Sequence, residues 1–402
     1  MAAVLLSCGG AHMPVHASAP RTIAASDAEP RREFAQRWIV DDAPLALQRA
    51  QASRLPVFVD VWASWCHSCS HMREYVLDDE SLMRDAKQAI WLSLDADHPG
   101  NAPFLNKYPI KAYPTFLLLD AEGTERARFL GTMDAGQVSS FVRGESPSPA
   151  LQEVIAASMR GDEHSCIQLG TKLAADAQAN RRRWEELNTV ATMCSCELDR
   201  QEGENVAKRM QCDALPETLK RAMAQPSDEQ LTHADDISSA FELLLDAASG
   251  DRKQRVAAEW IGFLEPLAAA APSRSARASF DAHLTLAYLG ASRPEKAVLM
   301  LLASKRDFPS DFNPSMRLAG VYLKLGKLDE AELEAERAMT LVRGPRTLRA
   351  LQLRADIAKL RGGSVAEKTV LAQGLERSKG IWLPPSAAKL RLTLEQRHAA
   401  LR

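Results

Sequence analysis

The sequence predicts two structural regions, an N-terminal α/β domain and a C-terminal all-α region. The length of 402 residues is more than a single small domain uses. Short apolar runs with strand character alternate with helical segments as far as residue 143, and beyond residue 150 strand signals are nearly absent. Strands separated by helices indicate a mixed sheet, whereas the second region must bury its apolar faces by stacking helices.

Local patterns give the elements of the first region in order. Each predicted segment has either a run of strand-forming residues or the apolar spacing of a helix. The predicted helices are 44–54, 69–76 and one that ends near 143, and the predicted strands are 56–62, 90–95, 115–120 and 127–130. The Ala121-Glu122-Gly123 turn closes the last two strands into a hairpin, and Asp134 is predicted to cap the last helix.

A short stretch with Pro and Ser separates the two regions. Residues 144–149 read Gly-Glu-Ser-Pro-Ser-Pro, a composition typical of an exposed linker. Few contacts are expected across such a boundary. The sequence therefore predicts an α/β domain over 31–143 and a helical region over 150–402, and each is expected to stay folded after the linker is cleaved.

Two cysteines, Cys66 and Cys69, directly follow an apolar run rich in β-branched residues. A strand, a tight turn and a helix that opens at Cys66 place this sulfur at the helix N-terminus, where free N–H groups and the macrodipole favour a thiolate. Cys69 lies about one helical turn further on and is expected to be more buried. This arrangement predicts a redox dithiol in which Cys66 is the nucleophile and Cys69 the resolving thiol.

A zinc or haem site at the cysteine pair fits the sequence less well. A structural zinc site needs a second ligand pair, but the next cysteine is Cys166, and a c-type haem site needs a histidine where the chain has Ser70. One metal alternative uses four neighbouring side chains, Cys66, His67, Cys69 and His71. The prediction is a site with no metal and no cofactor other than the redox disulfide.

Residues around the pair resemble the thioredoxin superfamily from about residue 41 to 143. The matching positions are Asp60 on the central strand, Trp62 and Trp65 before the cysteines, Tyr113-Pro114-Thr115 before a strand, and Gly131 before the last helix. The chain departs from cytosolic thioredoxins at His67-Ser68, where they have Gly-Pro, and at Trp91, where they usually have lysine. The text from Val59 to Cys66 is more similar to the periplasmic C-terminal domain of DsbD-type disulfide-reductase transporters.

This resemblance implies roles for the residues that match. Asp60 would assist proton transfer at Cys69, and Pro114 in cis would shape the substrate groove. The implied groove and tuning residues are Trp65, His67, Ser68, Tyr113 and Thr115. A histidine beside the nucleophile can stabilise the thiolate, whereas a histidine pointing into solvent would have little effect.

The helical region contains a 34-residue spacing. Identical residues recur at five positions, Leu284, Tyr288, Leu289, Ala297 and Leu299 in one unit and Leu318, Tyr322, Leu323, Ala331 and Leu333 in the next. These positions resemble the tetratricopeptide repeat, most clearly over 281–342, with weaker units expected at 353–375 and 151–173. Stacked units normally offer a concave surface to a peptide or protein. The alternative is an irregular bundle for support or dimerisation.

The N-terminus resembles the end of a bacterial lipoprotein signal. Residues 1–7 are largely apolar and lead to Cys8, the position that would carry the lipid. The run is shorter than a secretory signal needs and no Lys or Arg precedes it, so either the true start lies upstream or Cys8 is incidental. Residues 1–30 are predicted as a leader and flexible tether on a periplasmic, lipid-anchored protein; the alternative, if this is the true start, is cytoplasmic. No transmembrane helix is predicted.

Four further cysteines lie in the helical region, at Cys166, Cys194, Cys196 and Cys212. A Cys194–Cys196 bridge is disfavoured because residues two apart on a helix point to nearly opposite sides. Two sets of disulfides remain open, Cys166–Cys194 with Cys196–Cys212 or Cys166–Cys196 with Cys194–Cys212. A third possibility is that all four cysteines are unpaired and buried.

Composition and charge limit the function classes. With 46% hydrophobic and 25% charged residues both regions can form a core, and a net charge of −2 gives no basic surface for nucleic acid. The predicted function is a thiol:disulfide oxidoreductase that acts on protein thiols and disulfides with a redox partner protein, while the helices bind a peptide or protein. The alternative is a scaffold or adaptor whose dithiol senses redox state.

Overall fold

The computed structural model describes residues 38–199 and 210–401. Its first region contains one mixed sheet of five strands in the order β1-β3-β2-β4-β5. The strands are β1 (Trp38–Val40), β2 (Val57–Trp62), β3 (Ile90–Asp95), β4 (Thr115–Leu119) and β5 (Glu125–Leu130). The helices are α1 (Ala43–Ser53), α2 (His67–Tyr75), α3 (Ala102–Lys107) and α4 (Ala135–Val142), with 3₁₀ turns at Glu80–Lys87 and Pro99–Asn101.

Strand β2 lies at the centre of the sheet, parallel to β3 and antiparallel to β4. All its residues up to Val61 are buried, which explains a continuous apolar run instead of an alternating one. Asp60 is the acidic residue in this run and pairs with Ser93 on one side and Phe116 on the other. The central strand therefore holds a carboxyl group in the core.

Local capping agrees with the predicted helix starts. The Asp42 side chain accepts the Leu45 N–H at 3.0 Å at the start of α1. Asp134 and Gln137 form a reciprocal capping box at the start of α4, with distances of 2.8 and 3.0 Å. The sequence did not predict β1, because a strand of three residues on the sheet edge leaves no periodic pattern.

The second region is helical throughout its described residues, which confirms the predicted fold class. Its helices are α5 (Pro149–Met159), α6 (Glu163–Ala179), α7 (Arg183–Asp199), α8 (Met210–Ala222), α9 (Ser227–Thr232), α10 (Ala234–Ala247), α11 (Gly250–Ala269), α12 (Arg274–Ala278), α13 (Asp281–Gly290), α14 (Pro294–Asp307), α15 (Asn313–Lys324), α16 (Leu328–Leu341), α17 (Thr347–Arg377) and α18 (Pro385–Ala400). A short 3₁₀ turn, Gly344–Arg346, joins α16 to α17.

Several of these helices form hairpins where the sequence predicted repeat units. In both units of the 34-residue spacing the first leucine and the alanine are buried, at Leu284, Leu318, Ala297 and Ala331. The last leucine of each unit is on the surface instead, since Leu299 is 69% and Leu333 is 65% exposed. Helix α17 breaks at Gly363, whose φ of 68° reverses the chain inside the predicted weaker unit at 353–375.

Two disulfides connect neighbouring helices of this region. Cys166 of α6 bonds to Cys196 of α7, and Cys194 of α7 bonds to Cys212 of α8. This is one of the two pairings that the sequence left open. The two sulfurs of α7 leave the helix toward different neighbours, as their spacing of two residues requires.

Contrary to the sequence-based expectation, many contacts cross the boundary between the regions. Residues 144–146 are exposed, as a linker should be. Hydrogen bonds nevertheless join Tyr75 Oη to the Ala276 carbonyl at 3.3 Å, Asn313 Nδ2 to the Ser64 carbonyl at 2.9 Å and Trp382 Nε1 to Asn106 Oδ1 at 2.9 Å. The expectation of few contacts was wrong because side chains far apart in sequence meet at both ends of α2 and at α3.

Within residues 38–199 and 210–401, none of the helices has the length and apolar character needed to cross a bilayer. The predicted leader and tether over 1–30, with Cys8, lie outside the described residues.

Candidate redox site

Cys66 and Cys69 form a disulfide at the N-terminus of α2. The chain leaves β2, turns with the Cys66 N–H donating to the Ala63 carbonyl at 3.0 Å, and enters the helix with Cys66 as the N-cap residue. The Cys69 N–H points at the Cys66 sulfur, 3.1 Å away. After reduction, this N–H and the helix terminus would stabilise a Cys66 thiolate.

Both sulfurs are shielded, and the helical region contributes to the shielding. Cys66 is 6% exposed and Cys69 is 1% exposed. Asn313 from α15 bonds to the backbone of Ser64, two residues before the disulfide. The helical region therefore contacts the chain directly beside the disulfide.

Asp60 lies on β2 in the core of the same domain, with 2% of its surface exposed. Burial raises the pKa of Asp60 to about 7, although the positive charge of Arg73 works in the opposite direction. A carboxyl group with this pKa exchanges a proton near neutral pH, which is the property a proton acceptor for a buried thiol needs.

The Tyr113–Pro114 segment lies on the Trp65 side of the site. The bond between these residues is cis. The Tyr113 ring packs edge-on against the Trp65 ring with 5.3 Å between centroids, and burial raises the pKa of Tyr113 to about 12. Thr115 is fully buried and its hydroxyl donates to the Ala112 carbonyl at 2.7 Å, so it supports the segment from below. Trp65 Nε1 donates to Asp97 Oδ2 at 2.8 Å, a partner the sequence did not indicate.

On the opposite side, His67 contacts the helical region. Its Nδ1 lies 2.8 Å from Asp235 Oδ1, at the start of α10, and Ser68 Oγ lies 3.3 Å from the same nitrogen. Burial alone would lower the pKa of His67, but the charge and hydrogen bond of Asp235 raise it above its ordinary value. The His67 ring beside Cys66 is thus held by Asp235, and the alternative of a histidine pointing only into solvent does not apply.

Asp235 accepts a second hydrogen bond from the same region. His283 Nε2 lies 2.9 Å from Asp235 Oδ1, and the rings of His67 and His283 are 4.2 Å apart. Burial opposes the charge of Asp235, yet the nearby His67 and His283 hold its pKa well below the usual range. Burial and the charge of His67 lower the pKa of His283 to about 4, so His283 is neutral and donates from Nε2.

Further polar contacts extend this interface. His71 Nε2 donates to the Thr232 carbonyl at 3.0 Å, and burial lowers the pKa of His71. Thr132 Oγ1 donates to Asp236 Oδ1 at 2.6 Å. Sequence reasoning missed Asp235 and His283, because the contact between His67 and Asp235 spans 168 positions and neither residue belongs to a motif.

One ligand atom each from His67, Asp235 and His283 lies within 4.8 Å of the others, a grouping that a metal ion could use. His283 Nδ1 is buried without a hydrogen-bond partner. If Nε2 bound a metal, Nδ1 would carry a buried, unpaired N–H, whereas metal-binding histidines almost always pair that group. A hydrogen bond from Nε2 to Asp235 leaves only a lone pair at Nδ1, so hydrogen bonding accounts for the cluster better than a metal does. The alternative metal site around Cys66 and Cys69 would need two thiolates, and in this structure the two sulfurs form a disulfide.

Comparison with known proteins agrees with the fold of the first region. Residues 43–143 match the family model of a thioredoxin-like domain. Over 106 residues the chain is 35% identical to the thiol:disulfide interchange protein DsbD of Yersinia pestis, a match covering 25% of this chain and 17% of the relative. The corresponding protein of Escherichia coli K12 is 29% identical over 118 residues, covering 28% of this chain and 20% of the relative.

These matches cover about a quarter of the chain and less than a quarter of the relatives they match. The first region is therefore a thioredoxin-like domain with distant similarity to DsbD. The helical residues from 150 onward lie outside the family match.

Proposed function

We propose that this protein is a thiol:disulfide oxidoreductase that uses Cys66 and Cys69 as its redox pair. The observation that carries the proposal is the position of Cys66 at the N-terminus of α2, where its sulfur accepts the Cys69 N–H. Cys66 attacks a substrate disulfide, Asp60 takes the proton of Cys69, and Cys69 then resolves the mixed disulfide. Tyr113 and Pro114 shape the groove in which the substrate lies.

Trapping experiments test this assignment. Reduced Cys69→Ala protein should accumulate a mixed disulfide with its substrate, because the attacking sulfur remains and the resolving sulfur is gone. The matched Cys66→Ala variant should trap none. Equal trapping by the two variants would overturn the assignment of the nucleophile.

The helical region is proposed to bind the partner or substrate protein through its stacked, tetratricopeptide-like hairpins. The disulfides Cys166–Cys196 and Cys194–Cys212 support a location in an oxidising compartment. The proposed location is therefore the periplasm, with Cys8 as the lipid-bearing residue and a second redox protein as electron partner. Mass spectrometry of the intact membrane-bound protein would detect the lipid on Cys8.

A second candidate is a scaffold whose dithiol senses redox state. The 6% exposure of Cys66 favours it, because a turnover site is usually more open. Reduction of insulin disulfides by the full-length protein separates the two functions. Sustained turnover supports the oxidoreductase, and a dithiol that is oxidised and reduced without turnover supports the sensor.

A further inference from the structure

A large groove lies between the two regions on the Trp65 side of the disulfide, with a volume of about 860 Å³. One wall belongs to the thioredoxin-like domain and carries Trp65, Leu105, Ile110 and Tyr113. The facing wall belongs to the helical region and carries Trp382, Leu383, Pro384 and Leu390. The groove is therefore mainly aromatic and aliphatic, and one end adjoins the residue directly before Cys66.

The turn at Gly344–Arg346 fixes one edge of this groove. Gly344 has a φ of +60°, and a Cβ atom at this position would lie 2.4 Å from the Asp97 carbonyl oxygen. Only glycine allows the helical region to approach the thioredoxin-like domain so closely here. The approach places the Arg346 guanidinium over the Trp65 ring, 4.5 Å from its centroid.

Arg346 has unused hydrogen-bonding capacity in this position. Its Nε atom is buried and has no hydrogen-bond partner among the residues that the structure describes. A guanidinium N–H without an acceptor is costly, and Arg346 lines the groove, so an acceptor that a ligand brings to this guanidinium would be bound favourably. A carboxylate is the acceptor that best matches a guanidinium.

The other charges along the groove favour the same ligand. Lys111 and Arg349 also line it, and Asp97 is its acidic lining residue. Burial raises the pKa of Asp97 to about 7, so its negative charge is incomplete at neutral pH. The groove is apolar along its walls and cationic at its edge.

We propose that this groove binds an extended segment of the disulfide substrate that carries apolar residues and an acidic side chain, whose carboxylate pairs with Arg346. The inference rests on the proposed redox function and adds the substrate class. The helical region then selects the substrate by contributing Trp382 and Arg346 to the binding surface beside Cys66.

The reaction assigned to the bound segment is balanced without a further reactant. The Cys66 thiolate attacks one sulfur of the substrate disulfide, that disulfide bond breaks, and the released substrate thiolate takes up a proton. Cys69 loses its proton and attacks the Cys66 sulfur, which releases the second substrate thiol. The substrate disulfide gains two electrons, and the protein dithiol loses two.

Three synthetic peptides test the proposal with the reduced full-length protein. Each contains one internal disulfide and the same apolar flank, and they differ at one flank position that is Glu, Gln or Lys. The second-order rate constant for protein oxidation is measured for each peptide. The Glu peptide is expected to react about tenfold faster than the Gln peptide, the value of one charge-assisted hydrogen bond, and the Lys peptide slowest.

Variants connect this preference to the groove. In Arg346→Gln the Glu-to-Gln ratio should fall to about one, and Arg346→Lys should keep part of it. Arg343→Gln is the matched control, since Arg343 is exposed in the same loop and does not line the groove. Trp382→Ala should slow all three peptides together. A wild-type ratio near one, or a ratio unchanged in Arg346→Gln, overturns the proposal.

Two small disulfides separate the proposals. If the wild-type protein fails to react with 2-hydroxyethyl disulfide as well as with the peptides, the redox function itself fails. If it reacts with 2-hydroxyethyl disulfide but does not distinguish the peptides, only the groove assignment fails. If glutathione disulfide reacts faster than every peptide, and this reaction depends on Arg346, the ligand of the groove is a small acidic thiol compound and not a polypeptide segment.

Discussion

The helical region contacts the dithiol on two flanks, and the two contacts differ in chemistry. On the His67 flank, His67 and His283 both form hydrogen bonds with Asp235, at 2.8 and 2.9 Å. On the Trp65 flank, Arg346 and Trp382 border a groove of about 860 Å³. Polar groups that are hydrogen-bonded to one another join two surfaces, whereas an apolar groove with cations at its edge is suited to a ligand.

This difference suggests a division of labour around Cys66. The His67 flank positions the helical region and sets the charge next to the sulfur. The Trp65 flank leaves space for the substrate. If the division is correct, variants on the His67 flank should change stability and redox potential, and variants on the Trp65 flank should change substrate preference.

The largest expected effect is the loss of the carboxylate on the His67 flank. Asp235→Asn should lower the free energy of unfolding by about 1–3 kcal/mol, because Asp235 is buried and its carboxylate accepts hydrogen bonds from both His67 and His283. Chemical denaturation of the oxidised protein measures this change. Asp246→Asn, an exposed aspartate on the same helix, should change stability by less than about 0.5 kcal/mol. Equal effects of the two substitutions would show that the flank does not hold the regions together.

The second effect concerns Asp60, in the core of the sheet. The rate of mixed-disulfide resolution should rise as the pH increases through about 7, because only the ionised carboxylate of Asp60 can accept the Cys69 proton. Asp60→Asn should remove this rise and slow the step by about tenfold to a hundredfold at pH 8. Stopped-flow measurements of product release give the profile. A profile that is flattened by Asp97→Asn instead would assign the rise to the Trp65 flank, since the pKa of Asp97 is also about 7.

The third effect is on the reduction potential. His67→Gly should make the pair more reducing by some tens of millivolts and raise the pKa of Cys66, because a cation beside the thiolate is lost. Since about 30 mV corresponds to 1.4 kcal/mol, equilibration with glutathione buffers resolves this change. If Asp235 acts through His67, the Asp235→Asn/His67→Gly double variant should shift the potential no further than His67→Gly alone. Additive shifts would mean that the two residues act independently.

The sequence predicted the thioredoxin-like domain well because its signals are local. Asp60, the cysteine pair and Pro114 lie in or next to short patterned segments, and the strands and helices around them have the predicted type. Asp235 and Arg346 could not be predicted, because each becomes part of the site only through packing between the regions. A composition typical of a linker describes the connecting backbone over 144–149 and carries no information about surfaces that meet elsewhere.

The pairing left open by Cys194 and Cys196 illustrates the same limit. Helical geometry disfavoured a bond between the two, but the choice of partner depended on how α6 and α8 pack against α7. The exposed leucines Leu299 and Leu333 are a second example of this limit. A repeated residue marks an equivalent position, and burial of that position depends on which helices cover it.

The smallest expected effect is a pH dependence of the His67 flank in the oxidised protein, in which Cys66 and Cys69 do not titrate. The folded-state pKa of His67 is raised, so its ion pair with Asp235 contributes fully below about pH 6.5 and is lost as the pH rises through the folded value. Asp235 stays ionised in this range, and His283 and His71, whose pKa values are lowered, stay neutral. Glu242, whose pKa is raised by burial, and Arg317, whose pKa is lowered by burial, are the other charged groups that act on His67. The stability difference between wild type and His67→Gln should therefore shrink by less than about 1 kcal/mol between pH 6.5 and 9, because His67 is 33% exposed and solvent screens the pair. A difference that grows with pH would show that the neutral imidazole, and not the cation, holds this flank closed.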